Sequence, residues 1–253
     1  MNTLATLLAG YRVAAAELAG SVRATDGPAE IVAVHGDPSG LAEAAQRISA
    51  GARVVIVDRP RTDDGLVEGL LGCARAGAAV LLARPGLRAD VAGDAAPSSA
   101  SADVAVQVQA PARQLLDALV DAVGWARLFG GGVLALRAVA RVGGAVLADL
   151  AGPGAAASVL ASERLGGAGE GRLRVTAVGV DRVEVVSAGD HAVVTRSTRQ
   201  GDLALPRRWE SVERLALRRA LAFLSGDQHV ADLDEWAHDV DVAARISAAH
   251  HAG

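Results

Sequence analysis

The sequence predicts an α/β fold, with a Rossmann-like parallel-sheet domain over residues 1–100 and a smaller α/β domain with a mostly antiparallel open sheet over residues 101–253. Three observations carry this expectation. Short continuous apolar runs at Ile31–Val34, Val54–Val57 and Ala79–Leu82 alternate with helix-patterned segments, as buried parallel strands do between crossover helices. Each run closes on a turn, at His35-Gly36-Asp37-Pro38, Asp58-Arg59-Pro60 and Ala83-Arg84-Pro85. Further on, Leu173–Val180, Arg182–Ser187 and Ala192–Ser197 succeed one another with short turns, the pattern of an antiparallel meander.

In chain order, Leu4–Val13 reads as the first, central strand and its turn, with Gly10 opening a helix over Tyr11–Val22 that Thr25-Asp26-Gly27-Pro28 breaks. Helices over Leu41–Ile48 and Leu66–Ala76 follow the next two strands. Gly93–Asp103, rich in Ala, Ser, Pro and Asp, reads as a loop or domain joint. Val104–Val108 is a strand, Pro111–Val123 a helix and Val133–Val142 a strand. Gly143-Gly144 then precedes a predicted helix from Ala145 to Leu165, and helices over Trp209–Leu224 and Leu233–Ala249 close the chain, with Trp209 and Trp236 as packing anchors. Two lobes with a cleft between them are expected.

Composition narrows the chemistry. Of the 253 residues 51% are hydrophobic and only 2% aromatic, so the core must be aliphatic. No lysine occurs, which excludes lysine Schiff-base and P-loop mechanisms. A net charge of -4 argues against a nucleic-acid partner, since phosphate binding needs a concentrated basic face. Cys73 is the sole cysteine, so no intrachain disulfide forms, as suits a reducing cytoplasm. No apolar run reaches the roughly 18 residues of a membrane span. The expected protein is soluble and cytoplasmic, with a small-molecule ligand.

Ligands of open α/β sheets bind beyond the carboxyl ends of the strands. Those ends are Gly10-Tyr11-Arg12, His35-Gly36-Asp37, Asp58-Arg59 and Arg84. Arg12, Arg59 and Arg84 suit an anionic ligand, although the first two read equally as solvated surface charges. His35 is either a general base or a structural histidine. Asp37 either binds a ribose hydroxyl or caps the helix that begins near Gly40. His229, His238, His250 and His251 lack cysteine or closely spaced carboxylate partners, so no metal site is expected.

The segments AEIVAVHGDP (Ala29–Pro38), ARVVIVDRP (Ala52–Pro60), CARAGAAVLLARP (Cys73–Pro85) and GGAVLADLAGP (Gly143–Pro153) resemble those of the glucose-fructose oxidoreductase and inositol dehydrogenase family (Gfo/Idh/MocA). That resemblance covers nearly the whole chain. It implies a Rossmann domain binding NAD or NADP, a second domain whose sheet serves for homodimerisation, and oxidation or reduction of a sugar-like or polyol-like substrate. It leaves Gly10 as the surviving cofactor glycine and assigns catalysis to Arg84 and Asp149; the strand-end residues Tyr11, Arg12, Asp37, Asp58 and Arg59 are the further cofactor-binding candidates, and His35 is the candidate base.

Departures from the pattern alter the expectation. The resemblance sets the three glycines of G-x-G-x-x-G at Leu8, Gly10 and Val13, so only the middle one survives. In its E-K-P segment the three positions are Ala83, Arg84 and Pro85. Arginine, with a pKa above roughly 12, orients anions but moves protons poorly. In its D-x-x-x-H segment Asp149 is kept and Pro153 replaces histidine; Asp149 also reads as a hydrogen-bonding residue at a helix terminus. The expected function is therefore a redox-neutral biosynthetic enzyme on an oxidoreductase scaffold, catalysing a cyclisation, isomerisation or elimination and needing no cofactor. An NAD(P)-dependent oxidoreductase and a non-catalytic partner subunit are the two alternatives.

Overall fold

The computed structural model describes residues 1–63, 65–96, 103–164, 171–189, 191–227 and 230–251. The chain forms two compact units, residues 1–85 with 210–235 and residues 86–209 with 236–253. This differs from a division at residue 100. The first unit ends at Pro85 and takes back a later segment, because Val212, Ala216, Leu217 and Ala220 complete its core.

The first unit is built on a five-stranded, wholly parallel sheet of β1 (Asn2–Thr6), β2 (Val22–Ala24), β3 (Ile31–His35), β4 (Val54–Asp58) and β5 (Ala79–Ala83), in the order β2-β1-β3-β4-β5. The central strand is thus β3, not the first. The predicted helix after β1 is shorter than expected: α1 spans Ala9–Glu17, and Val22–Ala24 forms a strand of its own. The sheet is apolar throughout its middle, and α1 and α6 (Val212–Ser225) pack over one face through Tyr11, Ala14, Ala15, Val212, Ala216 and Leu217 against Leu4, Ile31, Ala33, Val54, Ile56, Leu81 and Ala83. Two further helices, α2 (Pro38–Ser49) and α3 (Leu66–Arg75), follow β3 and β4 and pack on each other. At the edge of the sheet, the Asp232 carboxylate accepts from the Leu82 backbone N–H (2.9 Å) and binds the Arg219 guanidinium (2.6 and 3.0 Å).

The second unit carries an eight-stranded sheet in the order β13-β12-β11-β10-β6-β9-β8-β7, antiparallel except for the β6–β9 pair. Its strands are β6 (Asp103–Ala110), β7 (Ala135–Val142), β8 (Ala145–Ala151), β9 (Ala156–Glu163), β10 (Arg172–Val178), β11 (Arg182–Ala188), β12 (His191–Thr198) and β13 (Gly201–Ala204). The helix expected from Ala145 is instead the pair β8 and β9. Val146, Ala148 and Leu150, then Ala157, Val159 and Ala161, are buried at every second position, the period of a strand with one face covered. Gly143, at φ +61°, and Gly144 form the tight hairpin between β7 and β8.

The covered face of this sheet lies under α5 (Ala112–Gly130), whose Trp125 and Phe129 rings stack at 5.7 Å. Arg127 on α5 forms a buried, two-point ion pair with Asp239 on α7 (Asp232–His251), at 2.9 and 3.3 Å. Part of the segment expected as a loop over Gly93–Asp103 is the end of a short helix, α4 (Ala89–Ala95), and residues 97–102 lie outside the described residues. Trp236 is buried as expected, but Trp209 is 84% exposed, with Arg207 stacked over its ring at 6.0 Å. Among the described residues no helix is long and apolar enough to cross a membrane.

Two substitutions test this packing. Gly36→Ala is expected to destabilise the first unit by about 1–3 kcal/mol in a denaturant melt, because its methyl meets Pro60 Cα and the Arg59 carbonyl; an unchanged midpoint would refute the contact. Asp239→Ala is expected to cost about 3–5 kcal/mol by taking the carboxylate from the buried Arg127 guanidinium, which a loss below about 1 kcal/mol would exclude.

Candidate functional site

In the first unit the chain leaves β1 toward β2 on one side and then crosses to β3 on the other, so the topological switch lies between β1 and β3. Ligands of such sheets gather outside the carboxyl ends at that switch. The loops there are tied to one another. Gly36 N donates to Asp58 O (2.8 Å), Arg61 N to Gly36 O (2.9 Å) and Arg59 N to Ala83 O (3.0 Å). Gly36 has no side chain because Arg59 O and Pro60 occupy that space, and Gly40 has none because α2 begins against the His35 carbonyl. Arg59 takes a left-handed backbone conformation, φ +49°, unusual for a residue with a Cβ.

Side chains alternate along a strand, so His35 lies on the same face as Ala33, and Asp58 on the same face as Ile56. That is the face covered by α1 and α6. His35 and Asp58 are register partners at the ends of β3 and β4, and Asp58 pairs in turn with Ala83 on β5. From α1, the buried Tyr11 hydroxyl donates to Asp58 Oδ1 at 3.4 Å. Burial pushes the Asp58 carboxyl above the ordinary aspartate range; the nearby Glu213 charge adds to this, while Arg59, Tyr11 and His35 oppose it. Burial first, then the charges of Asp58 and Glu213, hold the Tyr11 hydroxyl well above its usual value. Tyr11 therefore stays a donor, and Asp58 keeps its proton to higher pH than an exposed aspartate.

The other sequence-predicted residues fall as follows. Arg84 is buried, 8% exposed, one position beyond Ala83. Arg12 donates through Nε to Thr6 O (3.2 Å) and pairs with Asp26 (2.8 Å). Asp37 follows the third strand, not the second, and caps α2: its Oδ1 accepts from Gly40 N (3.0 Å) and Ser39 Oγ (2.6 Å), contacts that lower its pKa. Asp149 is exposed in the middle of β8, beside Ala138 and Ser158, in the second unit rather than at a helix end. Pro153 lies in the turn between β8 and β9. His229 and the side chains of His250 and His251 lie outside the described residues; among those described, no His, Cys, Asp or Glu group could hold a metal ion.

Four features escaped the sequence reading. Asp26 stands at the end of the actual second strand, and Asp58-Arg59-Pro60 repeats the acid-base-proline order that the resemblance set at Ala83-Arg84-Pro85. On a true helix, α5, Asp117 and Asp121 share the spacing of the D-x-x-x-H pattern with aspartate in the histidine position, and the Asp121 carboxylate fills the space beside Gly86. These signals were present as short charged triplets and i, i+4 pairs. The fourth feature was not: Glu213, in the first turn of α6, lies against Gly10.

The β1–α1 turn does not fit the pyrophosphate of a dinucleotide. Leu7 and Leu8 stand between strand and helix where glycine would allow close approach. A Cβ built on Gly10 meets Glu213 Oε1 at 3.0 Å, so the open side of this residue faces a carboxylate. Val13, assigned the third glycine position, is 60% exposed, and helix packing rests on Tyr11, Ala14 and Ala15 instead. Its bulk therefore does not hinder that packing.

The Asp58 carboxyl yields a prediction. Its native pKa is raised, so between the unfolded and folded values the native state binds more protons, and stability falls as pH rises through that window. Asp58→Asn keeps an acceptor for Tyr11 and is expected to match wild type near pH 4 and to melt higher at pH 7–8. A melting-temperature difference that stays constant across this range would contradict the assignment.

No protein-family model matches the sequence, and no curated protein matches it. Solved structures do. UDP-N-acetylglucosamine 3-dehydrogenase GnnA from Acidithiobacillus ferrooxidans superposes with a TM-score of 0.68 at 15% identity, over 98% of this chain and 96% of that one. A dehydrogenase (MviM) from Clostridium difficile gives 0.71 at 7% identity, over 98% and 99%. A 3-ketoreductase from Actinomadura kijaniata, in complex with NADP, gives 0.60 at 18% identity, over 98% and 88%.

Proposed function

We propose that this chain, which has the fold of the Gfo/Idh/MocA-type dehydrogenases, is a cytoplasmic small-molecule enzyme that uses that scaffold for redox-neutral chemistry: a cyclisation, isomerisation or elimination. The observation that carries this reading is the Asp58 group. A half-buried carboxyl whose proton affinity burial raises, a tyrosine that donates to it and a histidine on the adjacent strand end supply a candidate acid and base without a hydride carrier. Asp58 gives a proton to the ligand atom that gains electron density, His35 takes one from the position that loses it, and Tyr11 holds the Asp58 carboxyl in place. Arg59 and Arg84, at the same strand ends, orient an anionic ligand. Asp149 has no part in this reading.

A second reading, an NAD(P)-dependent oxidoreductase of a sugar-like substrate, is favoured by Asp26, an acid at the end of the second strand in the position that binds ribose in dinucleotide domains. The solved structures of similar fold act as a sugar-nucleotide dehydrogenase and an NADP-bound ketoreductase, which supports it as the alternative. In either reading the chain is proposed to form a homodimer through the open face of the eight-stranded sheet, where Leu147, Leu160, Val178, Val186 and Val193 are partly exposed.

Thermal-shift titration with NAD, NADH, NADP and NADPH separates the two. A ligand at 100 times its dissociation constant stabilises by about 2.7 kcal/mol, a rise of several degrees. The redox-neutral reading expects no saturable shift, and a clear one with any of the four dinucleotides would overturn it.

A further inference from the structure

We infer that Glu213 is a built-in occupant of the dinucleotide turn, its carboxylate filling the place on α1 where the pyrophosphate of a cofactor would rest. The inference rests on the reading that this turn no longer serves a dinucleotide, and it supplies a removable cause.

Gly10 is the one glycine left in the turn, and a glycine at this point lets another group come close to the backbone. That close approach is used by the protein itself. Glu213 Oε1 lies 3.0 Å from the position of a Cβ on Gly10, with Cδ and Cγ both at 3.1 Å, so the side chain lies flat along the glycine. Glu213 also belongs to the first turn of α6. Its charge therefore stands near two helix N-termini, each carrying roughly half a positive charge. The same two ends that would favour a phosphate favour this carboxylate.

The helix that carries the occupant is anchored. Ser211 caps α6 by accepting from Arg214 N (3.1 Å), and Val212, Ala216 and Leu217 are buried with Tyr11, Ala14 and Ala15. Arg214 reaches back along α1 to Glu17 at 3.3 Å and to Glu210 at 3.4 Å. A diphosphate arriving at Gly10 would meet a like charge in contact distance and would have to turn the Glu213 side chain aside to displace it. Asp58 beside Glu213 adds to the negative charge, and Arg59, which acts on the same Tyr11, offsets part of it.

The test is NADH and NADPH binding to the full chain, read by nucleotide fluorescence and by calorimetry, for wild type, Glu213→Ala and Glu213→Gln, each checked by circular dichroism. Glu213→Gln keeps the shape and the helix packing while removing the charge, so it serves if the alanine variant does not fold. Wild type is expected to show no saturable binding up to about 1 mM, and the variants a gain of at least about tenfold in affinity. If wild type and both variants all fail to bind, the occupant role is overturned and the redox-neutral reading stands. If wild type binds as well as the variants, both fall.

Discussion

Ala33 and Ile56 are buried under α1 and α6, and because side chains alternate along a strand, His35 and Asp58 two residues on must emerge from the same face. Most of what the first unit can do follows from this phase. It sets the histidine and the carboxyl side by side at the sheet's edge, under the helix that supplies Tyr11 and the helix that supplies Glu213. Shifting either strand by one residue would turn its polar end to the opposite face and break the cluster. The loops enforce the register: Gly36 fits under Pro60, and Arg59 accepts a left-handed conformation to let the chain turn away. A strained, non-glycine residue held by its neighbours beside an acid and a base is the kind of site where strain and function coincide.

The sequence made legible those parts of the fold whose signal is local. Three apolar runs closed by glycine and proline turns correspond to β3, β4 and β5, and the three meander strands correspond to β10, β11 and β12. Misreading arose where local preference and tertiary context disagree. GGAVLADLAGPG is rich in alanine and leucine, good helix formers, but the sheet beneath α5 demands a period of two. The paired glycines at the hairpin were the available clue. β2, only three residues long, carries no periodicity to read. Of the site, Tyr11, His35, Asp58 and Arg59 could be found as strand-end residues. Glu213 could not, since its relation to Gly10 exists only once α6 has folded back onto α1.

The second unit spends its chemistry differently. Its charged pair, Arg127 and Asp239, is buried between α5 and α7, where two hydrogen bonds fix orientation more than they add net stability. Its sheet is covered on one face and open on the other, and Asp149 belongs to the open face. A carboxylate there shapes what that surface can adhere to; it is not positioned as a helix-borne acid.

Asp232 has a consequence for solubility. β5 is the last strand of the parallel sheet, and a strand edge with unpaired N–H groups is a template on which another chain can grow. By accepting from Leu82 N while gripping Arg219, the Asp232 carboxylate replaces one link of that template with a charged side chain anchored to α6. The Leu82 N–H is thereby withdrawn from that template by an acid at the first residue of α7.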